Sequence, residues 1–121
     1  MNIKRALVAI AAADFERSSA FYRQIFQREP TVYAPGSYAE FQVEGLRVGL
    51  YNPRASEARS LPYPLVSLCL EVERLEDAIA HLTSLGYPPP GAILSPSHGR
   101  EIYAYDPDGN RIILYQPAKT A

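Results

Sequence analysis

The side chains of this 121-residue chain that could do covalent or metal chemistry are few and scattered. The only histidines, His81 and His98, lie on separate segments at no metal-ligand spacing. His81 falls on the polar face of a helical stretch and reads as a solvated surface residue. His98, in "SPSHGR", reads as an ordinary loop histidine, with a lid over a binding site as the alternative. The single cysteine, Cys69, has no histidine with an evident place beside it, so it reads as a buried packing residue rather than a nucleophile. Glu71 and Glu101 could each act as a general base, but neither has a visible acid partner. Tyrosine, by contrast, is plentiful, nine residues against no tryptophan. Tyr51, Tyr103, Tyr105 and Tyr115, with Arg47 and Arg111 close in sequence, could offer contact area, hydroxyl handles and ring faces for flat or cationic ligands. That is the chemistry of binding more than of bond-making.

The elements that must position these groups recur in order. "IKRALVAI" (3–10) alternates as a strand, with Leu7 and Ala9 on one face and Val8 and Ile10 on the other. Asp14 is a helix N-cap candidate, and Phe15, Ser18, Ser19, Tyr22, Ile25 and Phe26 then follow at helical spacing, predicting a helix over 15–28 that ends before Pro30. Short strands are expected around Thr31–Tyr33, in "SYAEFQVEG" and in "LRVGLYN", the last two joined by a hairpin at Gly45. The polar, proline-bounded stretch 52–64 reads as a linker. Next come a strand in "LVSLCLEV", a helical stripe of Leu75, Ala78, Ile79, Leu82 and Leu85 stopped by Gly86, and a loop with at most one short strand. A final hairpin pairs "EIYAY" with "RIILYQ" across "DPDG", where Pro107 suits the second turn position and Gly109 a positive φ.

A 60-residue shift lays "ALVAI" on "VSLCL" and "DFERSSAFY" on "RLEDAIAHL", so the strand and helix patterns of the two halves coincide. The expectation is an α+β fold in one domain, residues 1–121, with a βαβββ module at about 1–55 and a second at about 64–117. Arg74 takes the place that Asp14 holds in the first module.

A net charge of −1 gives no electrostatic footprint for nucleic acid, and no apolar run is long enough to span a bilayer. The N-terminal apolar run is brief and leads straight into the amphipathic segment, so it reads as a strand rather than a leader. One cysteine excludes an intramolecular disulfide and fits a reducing cytoplasm.

The duplicated unit, the helix start "DFERSSAFY", the second start "VERLEDA" and the closing "DPDGNRI" together resemble the vicinal oxygen chelate superfamily, the glyoxalase, bleomycin-resistance and extradiol-dioxygenase group. The resemblance covers nearly the whole chain. It implies a curled eight-stranded mixed sheet around a cavity, with the helices outside, and commonly a two-fold dimer with the cavities near its interface. Enzymes of this group hold a divalent metal with one His, Gln or Glu from each of four strands. By motif those places fall here on Leu7, Gly49, Ser67 and Ile113. Three of these have no donor atom and the fourth is a neutral hydroxyl, and the residues on either side are apolar. Neither a metal nor any other cofactor is therefore expected.

If those four positions face the cavity, strand alternation adds Arg5, Ala9, Arg47, Tyr51, Leu65, Cys69, Glu71, Glu101, Tyr103, Tyr105, Arg111 and Tyr115 to the same surface. Of these, Arg47, Tyr51, Ser67, Cys69, Tyr103, Tyr105, Arg111, Ile113 and Tyr115 are the candidate ligand contacts. The alternate positions, Val8, Ile10, Val48, Leu50, Val66, Leu68, Leu70, Ile102, Ala104, Ile112 and Leu114, are aliphatic, as helix-packed faces should be. The plainer reading has the tyrosines filling a closed core or subunit interface and the arginines as solvated strand ends. The expectation is a metal-free protein that binds or sequesters a planar or aromatic small molecule and pairs as a homodimer. The alternatives are a glyoxalase- or dioxygenase-like lyase or isomerase working without the usual metal site, and an interaction module whose cavity is vestigial.

Overall fold

The computed structural model describes residues 2, 7–53, 67–95 and 99–118. Arg5, Leu65, Val66 and His98 lie outside the described residues, as does most of the expected linker. The chain divides into two compact units, Met1–Pro62 and Tyr63–Ala121. Together they hold two helices and two mixed sheets among the described residues, an α+β fold.

In the first unit, strand β1 (Val8–Ala11) leads into helix α1 (Phe15–Phe26), followed by β2 (Val32–Ala34), β3 (Tyr38–Val43) and β4 (Leu46–Tyr51). The sheet order is β1-β4-β3-β2, with β1 parallel to β4 and the other pairs antiparallel. Phe15, Ser18, Ser19, Tyr22 and Phe26 bury one face of α1, as their spacing predicts. That face meets Ala39, Phe41, Val48 and Leu50, all fully buried. Tyr22 packs on Phe26 with ring centres 5.3 Å apart, and Phe26 meets Phe41 edge-on, also at 5.3 Å. The helix is two residues shorter than expected, because Gln27 turns into the left-handed region and donates its N–H to Arg23. Asp14 sits at the N-cap but makes no side-chain capping bond, correcting the sequence reading. Another carboxylate ties this helix to the sheet instead. Glu16 accepts hydrogen bonds from the Tyr33 hydroxyl and, at 2.8 Å, from the Gly36 N–H. Between β3 and β4 the two turn residues, Glu44 and Gly45, have φ of 45° and 84°, the primed geometry that matches strand twist in a tight hairpin.

The second unit repeats the plan with β5 (Leu68–Glu71), helix α2 (Leu75–Ser84), β6 (Gly99–Tyr105) and β7 (Arg111–Pro117), in sheet order β5-β7-β6. β5 runs parallel to β7, and β6 pairs antiparallel along all seven residues. Seven strands, not eight, are thus present among the described residues. At the place of the eighth, Leu94 makes a single bridge to Glu101. Pro88, Pro89 and Pro90 precede it, and proline's missing N–H discourages a longer ladder there. Leu68, Ile102, Ala104, Ile112 and Leu114 are buried on the helix side of the sheet, with Leu75 and Leu82 of α2. The start of α2 is capped across the fold, since the Leu75 N–H donates to Gln116 Oε1 at 2.8 Å. Gly86 follows the helix with a φ of 93°, and Gly109 gives the last turn its φ of 84°. Asp106 organises that turn by accepting the N–H groups of Asp108 and Asn110 at 2.9 and 2.8 Å.

Candidate functional site

In the first unit, β3 and β4 place Tyr38 opposite Tyr51, Glu40 opposite Gly49 and Gln42 opposite Arg47. This face is turned away from α1, and the sequence reading assigned it Arg47 and Tyr51. Tyr51 is 38% exposed. Arg47 is already engaged, with Nη2 donating to Glu40 Oε2 at 2.7 Å. The Tyr38 hydroxyl donates to Glu40 Oε1, also at 2.7 Å. Glu40 itself is only 5% exposed, and a buried carboxylate persists because both oxygens have donors. Tyr38 and Glu40 were missed by sequence reasoning. The signal was there in "YAEFQV", where Ala39 and Phe41 on the helix side require Tyr38, Glu40 and Gln42 on the other.

Gly49 explains the geometry. A Cβ built there would lie 2.7 Å from the Tyr38 hydroxyl and 3.1 Å from Leu7 Cδ1. The missing side chain makes room for the phenol that serves Glu40.

In the second unit, the sheet face opposite α2 carries the other seven candidates. Register sets them in rows across the sheet. Cys69, Ile113 and Tyr103 form one, and Glu71, Tyr115 and Glu101 the next. Arg111 pairs across the ladder with Tyr105. Its Nε donates to Ser67 Oγ at 2.7 Å, and its guanidinium lies 4.9 Å from the centre of the Tyr103 ring. The hydroxyl and the ring together hold that cation in one orientation. Most of these side chains are half-buried, while Tyr105 and Cys69 are exposed. The exposure of Cys69 corrects its reading as a buried packing residue. Its thiol titrates above the usual range, chiefly through partial burial and then through the negative charges of Glu101 and Glu71. It is therefore a poor nucleophile at neutral pH. Tyr105 also borders a cleft of about 400 Å³ walled by Tyr87, Pro88, Pro90 and Pro107, at the edge of the sheet. His81 is half-buried on α2 rather than fully solvated.

These surroundings do not fit a metal. Tyr38 and Leu7 crowd Gly49, Ser67 Oγ is committed to Arg111, and Ile113 offers only carbon. Among the described residues no three His, Cys, Asp or Glu side chains converge. Likewise no helix among them is long and apolar enough to cross a membrane.

Residues 4–114 match the profile of the Glyoxalase/Bleomycin resistance protein/Dioxygenase superfamily. Among solved structures the chain is similar to the fosfomycin resistance protein FosX from Listeria monocytogenes, with TM-score 0.77 and 17% identity over 98% of this chain and 96% of that one. It is similar to a lactoylglutathione lyase from Agrobacterium tumefaciens, with TM-score 0.71 and 19% identity over 95% and 96%. A bleomycin resistance determinant encoded on the transposon Tn5 aligns with TM-score 0.69 and 19% identity, over 97% and 100%. At these identities the likeness is one of fold. No curated protein matches the chain in sequence.

Proposed function

The chain belongs to the glyoxalase/bleomycin resistance protein/dioxygenase superfamily, and from that premise we propose that it is a metal-free binder of small planar or aromatic molecules. One observation carries the reading: on the second sheet the family's metal positions hold a hydroxyl tied to Arg111 and an isoleucine, and they lie among Tyr103, Tyr115 and the Arg111 guanidinium. Such a face offers ring area and hydrogen-bond donors but no ligand set. In this reading the strands complete a curled eight-stranded sheet around a cavity, and two chains pair about a two-fold axis, as the family resemblance leads one to expect. The similar structures include proteins named for resistance to bleomycin and to fosfomycin, and a binding role for this chain is in keeping with the first of these.

A metal-independent lyase or isomerase is the second reading. Glu71 and Glu101 favour it, as carboxylates that form no ion pair among the described residues and could take a proton. Turnover of a bound ligand separates the two.

Native mass spectrometry of freshly purified, untagged protein tests the proposal together with titration of tyrosine emission, which no tryptophan masks. Planar aromatics should quench that emission saturably, and Tyr103→Ala and Tyr115→Ala should each weaken binding by ~1–2 kcal/mol. Nickel, manganese, zinc and iron should give no stoichiometric adduct and no thermal shift. One equivalent of tightly held metal, or a broad aromatic panel with no saturable response, would overturn it.

A further inference from the structure

The same face of the second sheet is electrically two-ended. Arg111, at the start of β7, is held by Ser67 and Tyr103 but has no carboxylate partner among the described residues. Tyr115 stands four positions along the same strand, on the same face. At about 3.3 Å per residue that step spans ~13 Å. Here the charge reverses, because Glu71 on β5 and Glu101 on β6 both lie in register with Tyr115, one on each side. Neither makes an ion pair among the described residues. An aromatic ring between two carboxylates is a favourable seat for an ammonium group, and a guanidinium whose Nη atoms make no hydrogen bond among the described residues is one for a carboxylate or phosphate. Between the ends, Cys69, Ile113 and Tyr103 give an uncharged, partly aromatic middle. The two glutamates act on that middle too, as the raised thiol of Cys69 records.

Resting on the binding reading above, we infer that this face selects a flat, dipolar ligand, with an acidic group against Arg111 and a cationic group over Tyr115 between Glu71 and Glu101. Each charged contact is lost without its partner group on the ligand, so selectivity follows from complementarity at both ends rather than from ring area alone.

Four rigid biphenyl probes, read by tyrosine emission, test this. One carries a para carboxylate on one ring and a para aminomethyl group on the other. The remaining three are the carboxylate alone, the aminomethyl compound alone and a neutral carboxamide. The dipolar probe should bind about tenfold more tightly than either singly charged one, as one charge-assisted contact implies. Arg111→Met should abolish the preference for the carboxylate and leave that for the ammonium. The Glu71→Gln/Glu101→Gln double variant should do the reverse. Arg111→Glu should turn the preference toward a fifth probe, the bis-aminomethyl biphenyl, a gain that a merely destabilised protein would not show. Equal binding of all four probes would overturn the charge selection while leaving an aromatic site intact. Binding of none of them would overturn the aromatic site and the inference together.

Discussion

Glu40 shows how much at the residue scale rests on a missing side chain. Its carboxylate is buried, with Arg47 and the Tyr38 hydroxyl each 2.7 Å away, and the phenol reaches it only because position 49 has no Cβ. Gly49→Ala should push the Tyr38 hydroxyl off Glu40 and cost about 1–3 kcal/mol, the scale of overpacking plus a strained bond to a buried charge. In urea unfolding, the same substitution in a Tyr38→Phe background should cost less, because the closest clashing atom is gone. Additive losses would mean that the two sites are not coupled in this way. Cys69 gives a second prediction. Burial first, then Glu101 and Glu71, hold its thiol above the ordinary range, so less thiolate is present at neutral pH. Alkylation by iodoacetamide at about pH 8 should be slower than for a free thiol and should quicken in the Glu71→Gln/Glu101→Gln variant. An unchanged rate in that variant would show that the carboxylates do not reach the sulfur.

At the scale of elements, α2 depends on a partner strand for its start. Arg74, unlike an aspartate, cannot accept the first helical N–H groups, and Gln116 on β7 does so from across the unit. The same amide oxygen accepts from Arg100 at 3.0 Å, and Arg100 grips Glu76 of α2 through two bonds of 2.6 and 2.9 Å. That fork holds the Glu76 carboxyl down to about 2, against an ordinary 4.5. A depressed carboxylate contributes stability that is fully present above its unfolded value and is lost as pH falls through the folded one. Thermal melts of the wild type and Glu76→Gln should therefore differ above pH 4.5 and converge as pH falls toward 2. The pair is exposed, so the gap should also narrow in high salt. Gln116→Ala should loosen both the helix start and this fork, at a cost of about 1 kcal/mol by denaturant titration.

For the whole molecule the test is assembly. Short mixed sheets leave strand edges open to pairing, and β2 at one edge is exposed along all three residues. Pairing about a two-fold axis is the expected cover, so light scattering at micromolar concentration should give about twice the chain mass of 13.4 kDa. A mass of one chain would remove the dimer from the proposed function. The binding prediction would stand, because it rests on a face contributed by the second unit alone.

Period and turn chemistry made much of this protein legible before any coordinates. Alternation in "RIILYQ" and "LRVGLY" separates Ile112, Leu114, Val48 and Leu50 from Arg111, Tyr115, Arg47 and Tyr51, and burial follows that division. Gly45, Gly86 and Gly109 stand where the backbone needs a positive φ. The sequence also puts leucine, glycine, serine and isoleucine (Leu7, Gly49, Ser67 and Ile113) where the family motif would carry ligands, and three of those four side chains have no donor atom. What the chain order could not convey is which charges meet. Arg47 and Arg111 look alike in sequence, each one or two residues into a strand. Only cross-strand register ties the first to Glu40 and leaves the second over Tyr103 with Ser67 as its anchor. The capping of α2 by a glutamine 41 residues away, and the two glutamates flanking Tyr115, are likewise facts of pairing between strands. Side-chain direction is local and is written every second residue. The choice of partner is not local, and it exists only once the strands have paired.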